Sequence, residues 1–329
     1  MVDILCTQSF DRTDKAKAKA EMEATGDTIL DLSAPKKIRK VYGLNPQKWN
    51  VASKMTKTKF QELEASYRNM KNEDELKVKS EILKLTREYV QVKFRTCEPS
   101  THVTSLKTFW AMPDGLKLLS EHFNWVTDND CDVVDIVLEN LSDALNMAEK
   151  VLIYKKGSSW EKKLRNVELK AEEDNGNETM IYIFILRELA LHFRNVPEKF
   201  IFIEGEDDVK SLSSQPFIHV LKVDRVGEED YGEGLSISVR IGSTLVFDNV
   251  SFAQALASVI QLTFCFNLLY PSDCDDMFEF LQRVVCKFGP SDGARNKNGQ
   301  LKKCFVDFMC TLGQVMMDSK KGSMKQSSF

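Results

Sequence analysis

The chain has 329 residues, 43% of them apolar, with 45 Lys and Arg against 49 Asp and Glu for a formal net charge of −4. That composition excludes collagen-like, coiled-coil-only, mostly disordered and disulfide-scaffold proteins, and the length suggests two domains able to fold without metal or disulfide staples. The near-neutral total gives no overall field directed at nucleic acid or acidic lipid.

Residues 1–34 are rich in Lys, Ala, Glu, Asp and Thr, with too few apolar residues for a core, and read as a disordered tail. No secretory signal is recognised there, because Val2 to Cys6 is broken by Asp3 and no basic stretch precedes it. The eight cysteines are scattered without a C-x-x-C pair, and the nearest couple, Cys304 and Cys310, has the wrong spacing for zinc. They are expected to be reduced thiols in apolar settings, with no metal site and an intracellular address, cytoplasmic or nuclear.

Local charge is far less balanced than the total. From Leu32 to Phe60 there are eight basic residues, Lys36, Lys37, Arg39, Lys40, Lys48, Lys54, Lys57 and Lys59, and no acid. Residues 101–250 carry 16 basic and 27 acidic groups. Lys36-Lys37-Ile38-Arg39-Lys40 is compact enough to serve as a nuclear-import address or to touch nucleic acid, and Tyr42, Trp49 and Phe60 nearby supply stacking groups. A solvated linker lying on the chain's own acidic region explains the same residues. The candidate contact residues are therefore Lys36, Lys37, Arg39, Lys40, Trp49, Lys54, Lys57 and Lys59.

Helices follow. A seven-residue repeat of Leu76, Leu83 and Val90, widened by Ile82, Leu85, Tyr89 and Val92, predicts a helix from Glu73 to about Arg95, stopped by Pro99. A short helix is expected near Val103 to Phe109, and Pro113 opens another with Leu116, Leu119 and Phe123 on one face. Asn129 or Asp130 is placed to cap a long helix with Val134, Val137, Leu138, Leu141, Leu145 and Ala148 inward, ended by Gly157. Ser158-x-x-Glu161 has the capping-box pattern for the next. The acidic stretch Glu172 to Glu178 is the best internal boundary, and it reads equally well as a loop within one domain.

Beyond it, Met180 to Phe193 reads as a helix on length. Strands are expected at Phe200–Ile203, Phe217–Val223, Leu235–Ile241 and Thr244–Phe247, with Gly242-Ser243 as a two-residue hairpin turn. Helices at 251–270, 274–288 and 301–316 close the chain. The 24 uncharged residues between Asp248 and Asp273 could span a bilayer by length, but Gln254, Ser258 and Gln261 form a polar stripe, so the segment reads as a buried helix and no membrane contact is expected. The fold class is α+β, a helical N-terminal part plus an antiparallel sheet with C-terminal helices. The organisation expected is a tail over 1–34, a mainly helical domain over 35–175 led by the basic segment, an α+β domain over 176–318, and a tail over 319–329.

One pattern runs through these elements. Val41-Tyr42-Gly43 with Trp49, Phe109-Trp110, Phe266-Asn267-Leu268-Leu269-Tyr270-Pro271 and Phe280-Leu281-Gln282-Arg283 occur in an order that resembles a group of largely uncharacterised animal proteins, abundant in fish, labelled as similar to sterile-alpha-motif-domain-containing protein 3. The resemblance covers about residues 40–300. It implies a shared body without the sterile alpha motif, for which residues 1–40 are too short and polar, and it carries over no activity or site.

Motifs for chemistry are sparse. There is no G-x-x-x-x-G-K-[ST], G-x-G-x-x-G or G-x-S-x-G, so no cofactor is expected. His192, on an apolar helix, and His219, within a strand, read as satisfied core or edge residues. Two acidic clusters, Glu204-x-Glu206-Asp207-Asp208 and Asp273-x-Asp275-Asp276, are the candidates for a divalent ion and hence for a nuclease, although helix capping accounts for the second. The turn-rich stretch Gly289 to Gln300 reads as a surface connection or a binding loop. The function expected is non-enzymatic binding or assembly with a protein partner or a second copy. A nucleic-acid-binding protein using 36–60 is the alternative, and a metal-dependent nuclease the third reading.

Overall fold

The computed structural model describes residues 53, 55–69, 76–96, 115–173, 178–209, 213–222, 234–288 and 300–326. The chain divides into two compact units, one containing residues 50–93 and the other running from Phe94 onward. The helix expected near Val103 to Phe109, the tail over 1–34 and the loop from Gly289 fall outside the described residues.

In the first unit, α1 (Lys57–Asn69) and α2 (Leu76–Thr96) bury one face each. Phe60 of α1 stacks on Tyr89 of α2 with ring centroids 4.5 Å apart, and Lys79 sits over the Tyr67 ring. Ile82, Leu83, Tyr89, Val90 and Val92 are buried as the periodicity predicts, but Leu85 is 58% exposed. Leu85 lies off the inward stripe, so a wide apolar pattern overstated the buried face.

The second unit contains α3 (Gly115–Thr127), α4 (Val133–Lys156), α5 (Ser158–Glu173), α6 (Glu178–His192), four strands, α7 (Phe252–Cys265), α8 (Asp275–Phe280) and α9 (Lys303–Gln326). Helices on both sides of residue 175 belong to it: Trp160 of α5 stacks on Phe184 of α6, and Phe123 of α3 packs edge-on to Phe264 of α7. The boundary expected near 175 is thus a connection inside one unit. α4 is capped by Asp132, whose side chain accepts from Val134 N at 2.8 Å, rather than by Asn129 or Asp130. Gly157, at φ +67°, closes it as expected. α9 continues to Gln326, into the stretch 319–329 read as a tail.

The sheet has the order β1 (Ile201–Ile203), β2 (Pro216–Lys222), β3 (Leu235–Ile241), β4 (Thr244–Phe247). β2, β3 and β4 are antiparallel neighbours, and Gly242, at φ +59°, opens the hairpin turn read from the sequence. β1 instead runs parallel to β2, so the sheet is mixed and not purely antiparallel. The physical reason is the connection: residues 204–215 are long enough for a crossover, whereas a tight turn would have forced a hairpin.

α7 lies against β2, β3, α3 and α4 and is buried on nearly its whole circumference. Its Ser251–Gln254 capping box satisfies the first turn in both directions, at 3.2 and 2.9 Å. Of the polar stripe that argued against a membrane span, Gln261 is used internally: its Nε2 donates to Ser120 Oγ of α3 at 2.9 Å. Among the described residues no helix is long and apolar enough to cross a membrane.

α7 ends in a left-handed residue, Asn267 (φ +49°), with Leu268 N donating to Thr263 O. The chain then returns so that Tyr270 packs on Phe278 and donates from its hydroxyl to Gln282 Oε1 at 2.5 Å. Gln282 Nε2 in turn donates to Phe288 O, and Arg283 Nε to Glu279 Oε2 at 2.6 Å, all in a widened turn over Leu281–Val285. The segments 266–271 and 280–283 therefore clasp each other. Replacing Tyr270 by Phe removes one buried hydrogen bond at unchanged ring packing, and urea unfolding should show a loss of about 1–2 kcal/mol.

Candidate binding surface

Of the sequence-predicted contact residues, Lys36, Lys37, Arg39, Lys40, Trp49 and Lys54 lie outside the described residues. Lys57 and Lys59 stand exposed on the first turn of α1, and Lys59 Nζ reaches Glu62 Oε2 at 3.2 Å one turn on. A pair this exposed contributes well under about 1 kcal/mol and leaves both side chains accessible to a partner.

The first acidic cluster is dispersed by the fold. Arg187 of α6 binds Asp207 with two parallel contacts, Nη1 to Oδ2 at 2.7 Å and Nη2 to Oδ1 at 2.9 Å, and also donates to Ile201 O. Ile203 N donates to the same carboxylate. Burial by itself would raise the Asp207 carboxyl, but the guanidinium and that N–H outweigh it and hold the group below the usual range. Glu206 pairs with Lys222, and Glu204 Oε2 meets His219 Nε2 at 3.0 Å. Three neighbouring acids thus go to three different bases and do not converge on a cation.

His219 lies flat on Phe202, and its Nδ1 is 3.4 Å from Ser238 Oγ on β3. Burial, then the nearby Arg240, lowers its pKa against the pull of Glu204, so the ring is neutral near pH 7. Ser238, His219 and Glu204 resemble a nucleophile, base and carboxylate in composition, but Ser238 is 4% exposed in mid-strand and out of a substrate's reach. The trio ties β1, β2 and β3 together. His192 is half-buried, and burial with Lys156 and Lys155 beside it lowers its pKa.

The second cluster is buried. Asp275 and Asp276 at the start of α8 are nearly inaccessible, and Lys302 Nζ spans them at 2.5 and 3.8 Å while also donating to Ser272 O. Asn195 adds Nδ2 to Asp276 at 3.4 Å, and its Oδ1 accepts from Met277 N. Cys304 Sγ donates to Asp276 Oδ2 at 3.2 Å, and burial with that carboxylate pushes the thiol up to about 11. Burial also raises the Asp275 carboxyl in spite of Lys302. One lysine therefore holds the start of α9 onto α8, and no group of His, Cys, Asp and Glu among the described residues has metal-site geometry.

The surface that sequence reasoning missed is the outer face of α4. Between Lys117 and Lys150 the chain has eight acids and no Lys or Arg. Val137, Leu141, Ala144 and Ala148 turn α4's inner side to the core, and Asp135, Glu139, Ser142, Asp143 and Asn146 lie exposed on the opposite side. Leu138, expected to be inward, is 62% exposed beside this acidic row. Further along, burial raises the Glu149 carboxyl, with Glu168 and Glu161 of α5 adding to it and Lys150 opposing. The signal was present as a run without bases, but the helical pattern assigned Leu138 to the core.

Comparison with protein-family models, with curated proteins and with solved structures finds no match to this chain. What the fold defines is an α+β protein with a four-stranded mixed sheet and C-terminal helices.

Two substitutions test the internal assignments. Lys302→Met leaves two buried carboxylates without their cation and should cost about 2–3 kcal/mol at pH 7, at the low end of a broken buried pair because the ammonium is partly solvated. The folded-state carboxyl pKa then lies above the unfolded value, so the folded state binds more protons and the variant should regain stability as pH falls toward 4. Asp207→Asn has the opposite sign: the wild-type carboxyl is held low, so the stabilisation it confers is full above the unfolded carboxylate pKa of about 3.9 and is lost as pH falls below it. Denaturant unfolding across that range should show the wild type and Asp207→Asn converging at the acid end.

Proposed function

We propose that this chain is a non-enzymatic binding and assembly protein that associates through opposed charged regions, the basic segment 36–60 of one copy meeting the acidic surface of another. The observation that supports the reading most directly is the outer face of α4, where an exposed leucine lies beside a row of exposed acids. A folded protein loses stability by concentrating like charge, and a complementary basic partner relieves that cost while covering the leucine. The clusters that might have carried chemistry support the same reading, since Glu204, Glu206, Asp207, Asp275 and Asp276 each meet an internal base.

A second reading, nucleic acid held by the same basic segment, draws on the exposure of Lys57 and Lys59 on α1. Light scattering on the full chain after size exclusion separates the two. Association at low salt that fades as salt rises, and that Lys36→Gln with Lys37→Gln, Arg39→Gln and Lys40→Gln weakens, is the expected result. A monomer at every salt and concentration, with salt-sensitive binding of a random-sequence oligonucleotide, would replace assembly by the nucleic-acid reading.

A further inference from the structure

Resting on that assembly reading, we infer that the outer face of α4 is the docking surface and that its occupant is the basic segment 36–60 of a second copy. α4 spans Val133–Lys156 and turns one side to the core through Val137, Leu141, Ala144 and Ala148. On the opposite side Asp135, Leu138, Glu139, Asp143 and Asn146 are exposed among the described residues. Leu138, at 62%, is among the most exposed large apolar side chains of the described residues, and Asp135 and Glu139 stand three residues before and one after it. Asp143 and Asn146 continue the row for two further turns, so the polar stripe extends about 15 Å along the helix.

Two features match this surface to one occupant. The first is charge: the row belongs to a stretch between Lys117 and Lys150 with no basic residue, and 36–60 is a stretch with eight bases and no acid. The second is chemistry: 36–60 interleaves its bases with Val41, Tyr42, Leu44 and Trp49, the kind of side chains that cover an exposed leucine while their neighbours meet carboxylates.

The test uses full-length protein. Asp135→Asn, Glu139→Gln and Asp143→Asn are combined in one variant, and Leu138→Ser is made separately. All four sites are exposed, so folding should be unaffected, and circular dichroism with urea unfolding checks it. A control variant, Glu228→Gln with Glu229→Gln and Asp230→Asn, removes the same amount of charge elsewhere. The association constant from sedimentation equilibrium at low salt should fall about tenfold or more in the α4 charge variant and several-fold in Leu138→Ser, and stay near wild type in the control. A fluorescein-labelled peptide of residues 34–60, added in excess, should dissociate the wild-type assembly and should bind the α4 charge variant about tenfold more weakly. If the wild type associates but the α4 charge variant and the control weaken equally, the α4 surface is overturned while assembly stands. If the wild type stays monomeric and binds no peptide, assembly itself fails and the surface with it.

Discussion

The burial of α7 is the constraint on which the rest of the second unit depends. A helix whose sides are nearly all apolar has no face to offer water, so other elements must surround it. Here α3, α4, β2 and β3 do so. Two of its polar groups have internal answers: Gln261 reaches Ser120, and Thr263 Oγ1 donates back to Val259 O. Its ends are fixed by a reciprocal cap at Ser251 and Gln254 and by the left-handed Asn267. Once α7 is placed, Tyr270 emerges at a defined point, and its hydroxyl sets where the widened turn carrying Gln282 and Arg283 must lie.

Around that centre the polar groups divide into two kinds. Asp207, Asp275, Asp276 and Glu279 are turned inward and held by Arg187, Lys302 and Arg283, each fastening segments of the chain together. Among the described residues the acids on the outside of α4 fasten no segment in this way. Buried carboxylates without bases would be costly, whereas exposed ones cost little individually and accumulate a field only as a group. The same residue type therefore serves as an internal fastener in one half of the unit and as an accessible surface in the other.

Much of the element pattern was legible in the sequence. β3 and β4 have the bounds read from alternation, and the Gly242-Ser243 turn is where the composition placed it, because strand periodicity and turn chemistry are local. The uncharged run after Asp248 was read as buried from its own polar stripe. The N-cap of α4 was misassigned by two to three residues, since Asn129, Asp130 and Asp132 are all competent and only the backbone path selects one. The parallel placement of β1 was hidden because a three-residue strand with no tight turn after it has no orientation signal. The candidate surface was half visible: the charge segregation could be counted, but the outward position of Leu138 contradicted its helical periodicity.

The sequence by itself determined which stretches are helical or extended and how charge is distributed along the chain, since both follow from residue order over a few turns. Tertiary structure alone decided which acids are neutralised and which face solvent. Asp276 meets Asn195 and Lys302, and Gln261 meets Ser120, across separations that no local pattern encodes. Charge counted along a sequence carries no direction, and only the packing of α4 against the core turns Asp135, Glu139 and Asp143 into one accessible face.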